Sequence, residues 1–348
     1  MQAKLSSMLK LSIIVPVYNV EPYIRPCFES IFRQGLDKND YEVIIVNDGS
    51  TDKSMEMIAD IINLHNNIKV INQNNQGLSI ARNNGIAASK GEYILMPDPD
   101  DLLIENSLKP LLEKAIDYHA DLVVADFLKM TNDEIKNLGT IQQMDFTIQE
   151  KTGEKMFLED LNQHECFVWR TLYKKSFLSD NKIRFYPGIR FQDVPFTNEC
   201  YLKANKCLKI SWLLNVYRKW DGAATGSFNL EKAKDFCWAT ALTWSLTHLS
   251  LNQDVRYKLE NNVYISFCAI VRQTCDSIPS YSERITVIDF MKKAAPDMKF
   301  HNGLKQYLIT IFFTYMPHTF IRLRYFYGSK VEGKFMPFYH HQLRRLFN

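Results

Sequence analysis

The 348-residue chain has no run approaching about 20 uninterrupted apolar residues, so no transmembrane helix is expected. It has no C-x-x-C pair, and its seven cysteines, at 27, 166, 200, 207, 237, 268 and 275, are odd in number. Both facts argue against a zinc ribbon or a disulfide framework and for a reducing compartment. A net charge of only +3 gives no case for a nucleic-acid partner. Met1–Lys10 is mixed polar, and the apolar run 11–17 is too short for a secretory core, so a cytoplasmic protein is expected unless it lies on a membrane surface. Internal repeats and low-complexity linkers are also missing.

What is present is an ordinary globular composition, 46% hydrophobic and 23% charged, in a chain long enough for one large domain or a domain with an extension. Strand-like and helix-like patterns alternate through the first third. Strands are expected at 11–19, 41–48, 68–73, 92–96 and 121–127. Helices are expected at 21–33, 50–65 (with Ser50 or Asp52 as N-cap), 78–89 and 105–118. Such alternation implies a parallel sheet with helices on both faces, in which ligands bind outside the carboxyl ends of the strands. From 128 to 227 the pattern loosens, and from 229 to 300 it reads as helical. The stretch 221–229, "DGAATGSFN", is the expected hinge.

The crevice rule gathers the polar strand tips. Strand one ends in Val17-Tyr18-Asn19, strand two in Asn47-Asp48-Gly49-Ser50, and strand three in Asn74-Asn75-Gln76-Gly77. Strand four runs into "MPDPDDLL", with Asp98, Asp100 and Asp101 in four positions. Like charges repel by roughly 4 kcal/mol per pair at about 4 Å and an effective dielectric of about 20. Asp100 or Asp101 can cap the following helix, the cluster can be a solvated turn, or the carboxylates can hold a divalent cation. Pro97 and Pro99 favour an extended exit from the strand and remove two backbone donors.

Four segments occur in order, each at a strand end or the turn after it: "IVPVYN", "IIVNDGSTD", "NQGLSIARNNGI" and "GEYILMPDPDD". The series resembles the family 2 glycosyltransferases, whose members show "VPxYN", "VDDGSTD", "NxGxxxARNxG" and a "DxDD" metal motif. The resemblance covers residues 11 to about 127 and rests on four motifs agreeing in order and spacing. It implies the α/β GT-A (nucleotide-diphospho-sugar transferase) fold, a mostly parallel sheet flanked by helices, here with a helical C-terminal extension. The implied division is a GT-A domain at 1–227 and a mainly helical region at 228–348. Pro16, Val17, Tyr18 and Asn19 would line the base and ribose, and Asp48 would hydrogen-bond one of them. Asn75 and Gly77 would close the base pocket. Arg82 would touch the nucleotide or brace Asp48. Asp98 would approach the ribose or the metal, and Asp100 would ligate the metal, Mn2+ or Mg2+. Asn47 departs from the family's usual Asp, but Asp48 is retained.

Further on, "IRFYPGIRFQDVPF" resembles the family's "FxEGxxxEDxxF". Asp193 matches the family's general base, which takes the acceptor's proton. It can equally serve as N-cap of the following helix, and the two roles are compatible. Gln192 replaces the usual Glu and cannot act as a base. "VWRTLYKKSFL" also resembles a family segment that usually precedes this site. Trp220 lacks the "QxxRW" context and membrane spans of processive members, so single transfer is implied. His164 and His65 have no partner at ligand spacing, and Cys200 and Cys207 read as buried thiols.

The stretch from 301 onward carries seven Lys or Arg and one acidic residue, Glu332, among many aromatics. It can lie in a membrane interface, cap the domain, or form a dimer contact. The resemblance thus implies an inverting, metal-dependent transfer from a UDP-linked nucleotide-sugar to a glycan or lipid-linked acceptor in polysaccharide biosynthesis, at the inner face of the cell membrane. Two alternatives are a sugar nucleotidyltransferase and a catalytically weak sugar-nucleotide-binding protein. The glycine-free "PVYNVEPY" after strand one disfavours the first, and Gln192 is the support for the second.

Overall fold

The structure, a computed structural model, describes residues 9–141, 143, 146–162, 165–219, 228–301 and 303–328. His164, Trp220, most of the 221–229 hinge and the tail after 328 lie outside the described residues. The first elements are β1 (Leu11–Val17), α1 (Glu21–Ile31), β2 (Tyr41–Asn47), α2 (Ala59–Leu64), β3 (Ile68–Asn72), α3 (Leu78–Ala88), β4 (Tyr93–Leu95), β5 (Leu102–Leu103), α4 (Leu108–Tyr118) and β6 (Leu122–Thr131). There follow α5 (Asn132–Lys136), β7 (Ile148–Lys151), α6 (Gly153–Glu159), β8 (Thr171–Lys174), α7 (Lys175–Asp180), α8 (Asp193–Lys203) and β9 (Cys207–Lys219). Five helices complete the order: α9 (Leu230–Ser245), α10 (Gln253–Ser277), α11 (Tyr281–Ala294), α12 (Leu304–Tyr315) and α13 (Pro317–Gly328).

The chain divides into two compact units, Met1–Gly188 with Glu199–Ala223, and Ile189–Asn198 with Ala224–Asn348. Among the described residues of the first unit, nine strands form one sheet in the order β3-β2-β1-β4-β8-β6-β9-β5, with β7 paired to β9. β1, β2, β3 and β4 are mutually parallel. β8 is antiparallel to both β4 and β6, so β6 runs the same way as β4, and β9 is parallel to β6. Six strands therefore share one direction, while β5, β7 and β8 oppose it. The mostly parallel sheet expected from the alternating pattern is present, with an antiparallel admixture in its second half.

Its apolar strands are buried on both faces, as parallel sheets require. Leu11, Ile13, Val15 and Val17 share a core with Ile24, Phe28 and Ile31 of α1 and with Leu108, Leu111 and Leu112 of α4. Each such fully buried aliphatic side chain contributes about 1.5–3 kcal/mol. On the other face Ile14 meets Gly85 of α3, where a Cβ on Gly85 would overlap the Ile14 side chain.

Two capping expectations are corrected. The stretch 50–55 is a turn, followed by a 3₁₀ segment at Glu56–Ile58 and then α2. Asp52 does not cap its own helix. Its Oδ2 accepts from the N–H of Glu21 at the start of α1, 3.0 Å away, while Glu21 Oε2 accepts from the Lys53 N–H. Likewise neither Asp100 nor Asp101 caps the helix after the acidic cluster, because β5 intervenes. The first N–H of α4, that of Leu108, donates instead to Gln34 Oε1 at 2.9 Å.

The second unit is helical. Along α10, Val255, Leu259, Val263, Phe267, Ile270, Val271 and Thr274 are buried at three- and four-residue spacing. Val263, Phe267, Ile270 and Val271 join a core with Cys237 and Trp244 of α9, Val287 and Met291 of α11, and Phe313 and Phe320 of α12 and α13. No described helix is long and apolar enough to cross a membrane.

Gly85→Ala should destabilise the first unit by about 1–3 kcal/mol, the usual range for overpacking. Ile14→Ala, which removes the Cγ2 methyl that the new Cβ would meet, should cost less in the Gly85→Ala background than in the parent. Urea denaturation showing equal stability for Gly85→Ala and the parent would contradict the close packing of α3 on β1.

Candidate functional site

The first four strands end at one edge of the sheet, and polar side chains there stitch their loops together. At the tip of β1, Pro16 and Val17 are buried, and Tyr18 is 48% exposed. Asn19 has φ +50°, and its Oδ1 accepts from the Thr51 N–H at 2.9 Å, tying the β1 tip to the turn after β2. The Val17 carbonyl accepts from the Asp48 N–H.

Asp48, at the tip of β2, is 3% exposed. Its Oδ1 accepts from Gln73 Nε2 at 2.7 Å and from the Gln76 N–H at 2.8 Å, and its Oδ2 accepts from the Gly77 N–H at 2.8 Å. This carboxylate shapes the loop between β3 and α3. Gly77 caps α3 with φ +87°, a conformation that glycine adopts without strain. Asn75, on the same loop, is exposed, and its backbone N is close enough to Gly49 that a Cβ there would approach to 2.9 Å.

Arg82 on α3, expected to touch the nucleotide or brace Asp48, pairs with Asp98. Its Nη2 lies 2.6 Å from Asp98 Oδ1, and its side chain is only 3% exposed. The guanidinium also sits 5.3 Å from the Phe185 ring centroid. The neighbouring Asn83 fixes Phe185 in turn. Its Nδ2 donates to the Phe185 carbonyl at 2.8 Å, and its Oδ1 accepts the Phe185 N–H at 3.0 Å.

The three carboxylates after β4 converge. Asp98, Asp100 and Asp101 each offer one oxygen, and these atoms lie within 4.8 Å of one another. The Asp101 N–H donates to the Asp98 carbonyl across the turn. Asp101 is 2% exposed; its Oδ1 accepts the Arg218 N–H at 2.8 Å, while its Oδ2 is buried without a hydrogen-bond partner. Burial pushes the Asp101 carboxyl up to about 9, with the Asp98 and Asp100 charges adding to the rise. Burial also raises Asp98, against the pull of Arg82. A group of hard oxygens with one orphaned and two raised carboxyls is the donor set that suits Mg2+ or Mn2+. The residues fit such an ion.

Asp193 is the first residue of α8, so it sits one position inside the expected N-cap. It lies on the segment 189–198, which groups with the second unit. Within that unit Arg190 Nη1 is 3.3 Å from Asp235 Oδ2, and the Phe191 and Phe236 rings stack at 4.5 Å. Gln192 is buried, and its carbonyl accepts the Phe196 N–H. Cys200 and Cys207 are buried, as expected.

Residue-type reasoning missed Asn83, Arg218 and the loop-shaping use of Asp48. A faint signal existed for Arg218, a charge inside the strand-like run "LLNVYRK". For Asn83 the sequence-distant Phe185 partner left no local trace.

A mostly parallel α/β sheet with its polar tips and a carboxylate triad at one edge is the GT-A arrangement of nucleotide-diphospho-sugar transferases. The crystal structure of S. aureus TarS 1–349 in complex with UDP-GlcNAc is similar in fold, with a TM-score of 0.66, 19% identity and 90% of each chain covered. Residues 12–180 match the model of glycosyl transferase family 2. Glycosyltransferase GlyG of Streptococcus pneumoniae is 30% identical over 233 residues, 65% of this chain and 76% of that protein. The uncharacterized glycosyltransferase EpsJ of Bacillus subtilis is 35% identical over 214 residues, 60% of this chain. The chain spans 61% of EpsJ's length. The chain belongs to glycosyltransferase family 2.

The raised Asp101 carboxyl makes a prediction for the metal-free chain. Its folded value of about 9 exceeds the ordinary 3.8, so the folded state holds a proton that the unfolded state releases. The stability this contributes is complete below about 3.8 and is lost as pH rises toward about 9. In chelator, Asp101→Asn should therefore gain on the parent between pH 5 and 8, by up to about 1.4 kcal/mol per pH unit. Urea midpoints that run parallel across that range would contradict it.

Proposed function

We propose that this chain is an inverting, non-processive, metal-dependent glycosyltransferase. It moves a sugar from a UDP-linked donor to a hydroxyl of a glycan or lipid-linked acceptor in polysaccharide biosynthesis. The observation that carries the reading is the carboxylate triad beside loops organised by Asp48 and Asn19, in a chain of this family. A TarS complex with UDP-GlcNAc supports a UDP-linked donor.

In this reading Pro16, Val17, Tyr18, Asn19, Asn75 and Gly77 line the base and ribose, with Asp48 fixing the loop that carries the last two. Asp98 and Asp100 hold the divalent cation. When bound, that ion offsets the charge of the departing diphosphate. Arg82 keeps Asp98 oriented and opposes the rise that burial gives its carboxyl. Asp193 takes the proton of the acceptor hydroxyl as its oxygen attacks the anomeric carbon, and the sugar–phosphate bond breaks with its electron pair going to the diphosphate. One in-line displacement inverts the carbon.

The donor and acceptor halves of this reading separate experimentally. Asp100→Ala, or excess chelator on the parent, should abolish both Mn2+-dependent UDP binding and turnover. Asp193→Asn should bind donor like the parent while transfer falls by ~10²–10⁴, the usual contribution of a general base. The product should carry the anomeric configuration opposite to the donor's. Parent-level transfer by Asp193→Asn, full activity in chelator, or a retained configuration would each remove the corresponding part.

The basic aromatic stretch from 301 onward is proposed to hold the protein at the inner face of the membrane. α12 supports this, since Leu304, Tyr307 and Tyr315 are exposed on it, as is Met316 directly after it. The protein should float with anionic liposomes at low salt and be released as salt rises. A protein that stays at the bottom of the gradient at low salt would leave the stretch as a domain cap or dimer contact.

A further inference from the structure

The acidic turn is held by a sequence-distant residue of β9, the strand that pairs with β5 directly after the turn. Arg218, in β9, is 7% exposed. Its side-chain Nε donates to the Asp100 carbonyl at 2.7 Å, and its backbone N–H donates to Asp101 Oδ1 at 2.8 Å. Nη1 donates to Asn132 Oδ1, at the start of α5, at 2.6 Å. The guanidinium lies 5.0 Å from the Tyr23 ring centroid of α1. One side chain thus ties the carboxylate turn to β9, α5 and α1.

We infer that Arg218 is a positioning residue for the cation site, setting the direction of Asp100 through its main-chain carbonyl. The inference rests on the reading of Asp98 and Asp100 as cation ligands. Its physical basis is the planar fork of arginine. Nε and Nη1 point in fixed directions, so satisfying Asp100 and Asn132 together fixes the carbonyl between them. A carbonyl fixed in this way fixes the peptide plane, and with it the arc over which the Asp100 side chain can swing. Tyr23 covers the guanidinium and limits its movement. The positive charge also lies beside three carboxylates and lowers their mutual repulsion, but charge alone needs no fork.

Lysine separates these two contributions. Arg218→Lys keeps the charge and the backbone N–H to Asp101, and loses the simultaneous bonds to Asp100 and Asn132. Asn132→Ala keeps the arginine and frees one end of the fork.

The test is Mn2+ titration in the presence of UDP, read from the signal of free Mn2+ by electron paramagnetic resonance, on the full chain and both variants. Arg218→Lys should raise the Mn2+ dissociation constant about tenfold or more, the usual effect of removing a group that orients a ligand. Asn132→Ala should raise it in the same direction by a smaller factor, about threefold. At saturating Mn2+, kcat should return to within about threefold of the parent for both variants, a split that a general loss of folding would not give. Parent-like Mn2+ midpoints in both variants overturn the inference and leave the cation reading intact. A parent that binds no Mn2+ removes the cation reading and the inference with it. If Arg218→Lys fails to fold, Asn132→Ala decides alone, and an unchanged midpoint there overturns the inference.

Discussion

Three carboxylates brought within 4.8 Å at the end of a buried strand set the terms for the first unit. Mutual repulsion at that range is too large to leave to water, because Asp101 is almost wholly buried. Two guanidiniums meet it, each nearly excluded from solvent: Arg82 from α3 and Arg218 from β9. The Arg82–Asp98 pair is not a surface ion pair of negligible worth. Each arginine is itself secured, Arg82 over Phe185 and Arg218 by Asn132 and Tyr23. The acidic turn therefore depends on elements that are remote in sequence, and their packing is in part the packing that keeps the carboxylates in place.

The neighbouring strand tips follow the same logic with neutral and singly charged groups. Asp48 uses both oxygens on the β3–α3 loop, and Asn19 and Asp52 reach across to adjacent loops. Loops that must meet a ligand are built in this way from side chain to backbone bonds, which fix their shape before anything binds. The cost is that these polar groups enter folding as well as function. Substituting Asp48 would leave the Gln76 and Gly77 amides to find other partners, so an effect on nucleotide affinity would arrive through loop shape.

Much of this was legible in the sequence. The apolar runs of β1, β2 and β4 and the intervening helical periodicity foretold the parallel half of the sheet, because burial on both faces leaves continuous apolar strands. The tips were legible as well, since chain polarity places them at one edge. The capping residues were misassigned for a definite reason. Asp52 and Asp101 are acceptors that satisfy N–H groups far along the chain, at Glu21 and Arg218, and sequence proximity to the next helix is a poor guide to such bonds. The antiparallel strand β8 between β4 and β6 was illegible too, because strand order is set by tertiary packing and leaves no periodic trace.

The triad is also unequal in its parts, and the inequality bears on how a cation would be held. Asp98 has a guanidinium on one oxygen, and Asp101 has a backbone N–H on one oxygen and none on the other. Burial lifts Asp101 so far that at neutral pH it keeps its proton in the metal-free chain. A divalent ion entering this group would favour the ionised form of Asp101 and so exchange for that proton. Asp100 is held differently, with its backbone carbonyl accepting from Arg218 Nε, which constrains its peptide plane. In the proposed reading, Asp98 is the ligand already balanced by charge, and Asp101 is a neighbour of the two ligands that is balanced by a proton. Asp100 is the ligand whose direction is fixed from behind. Cation affinity then depends on pH through Asp101 and on packing through Arg218, two dependences with separate causes in the same four-residue turn.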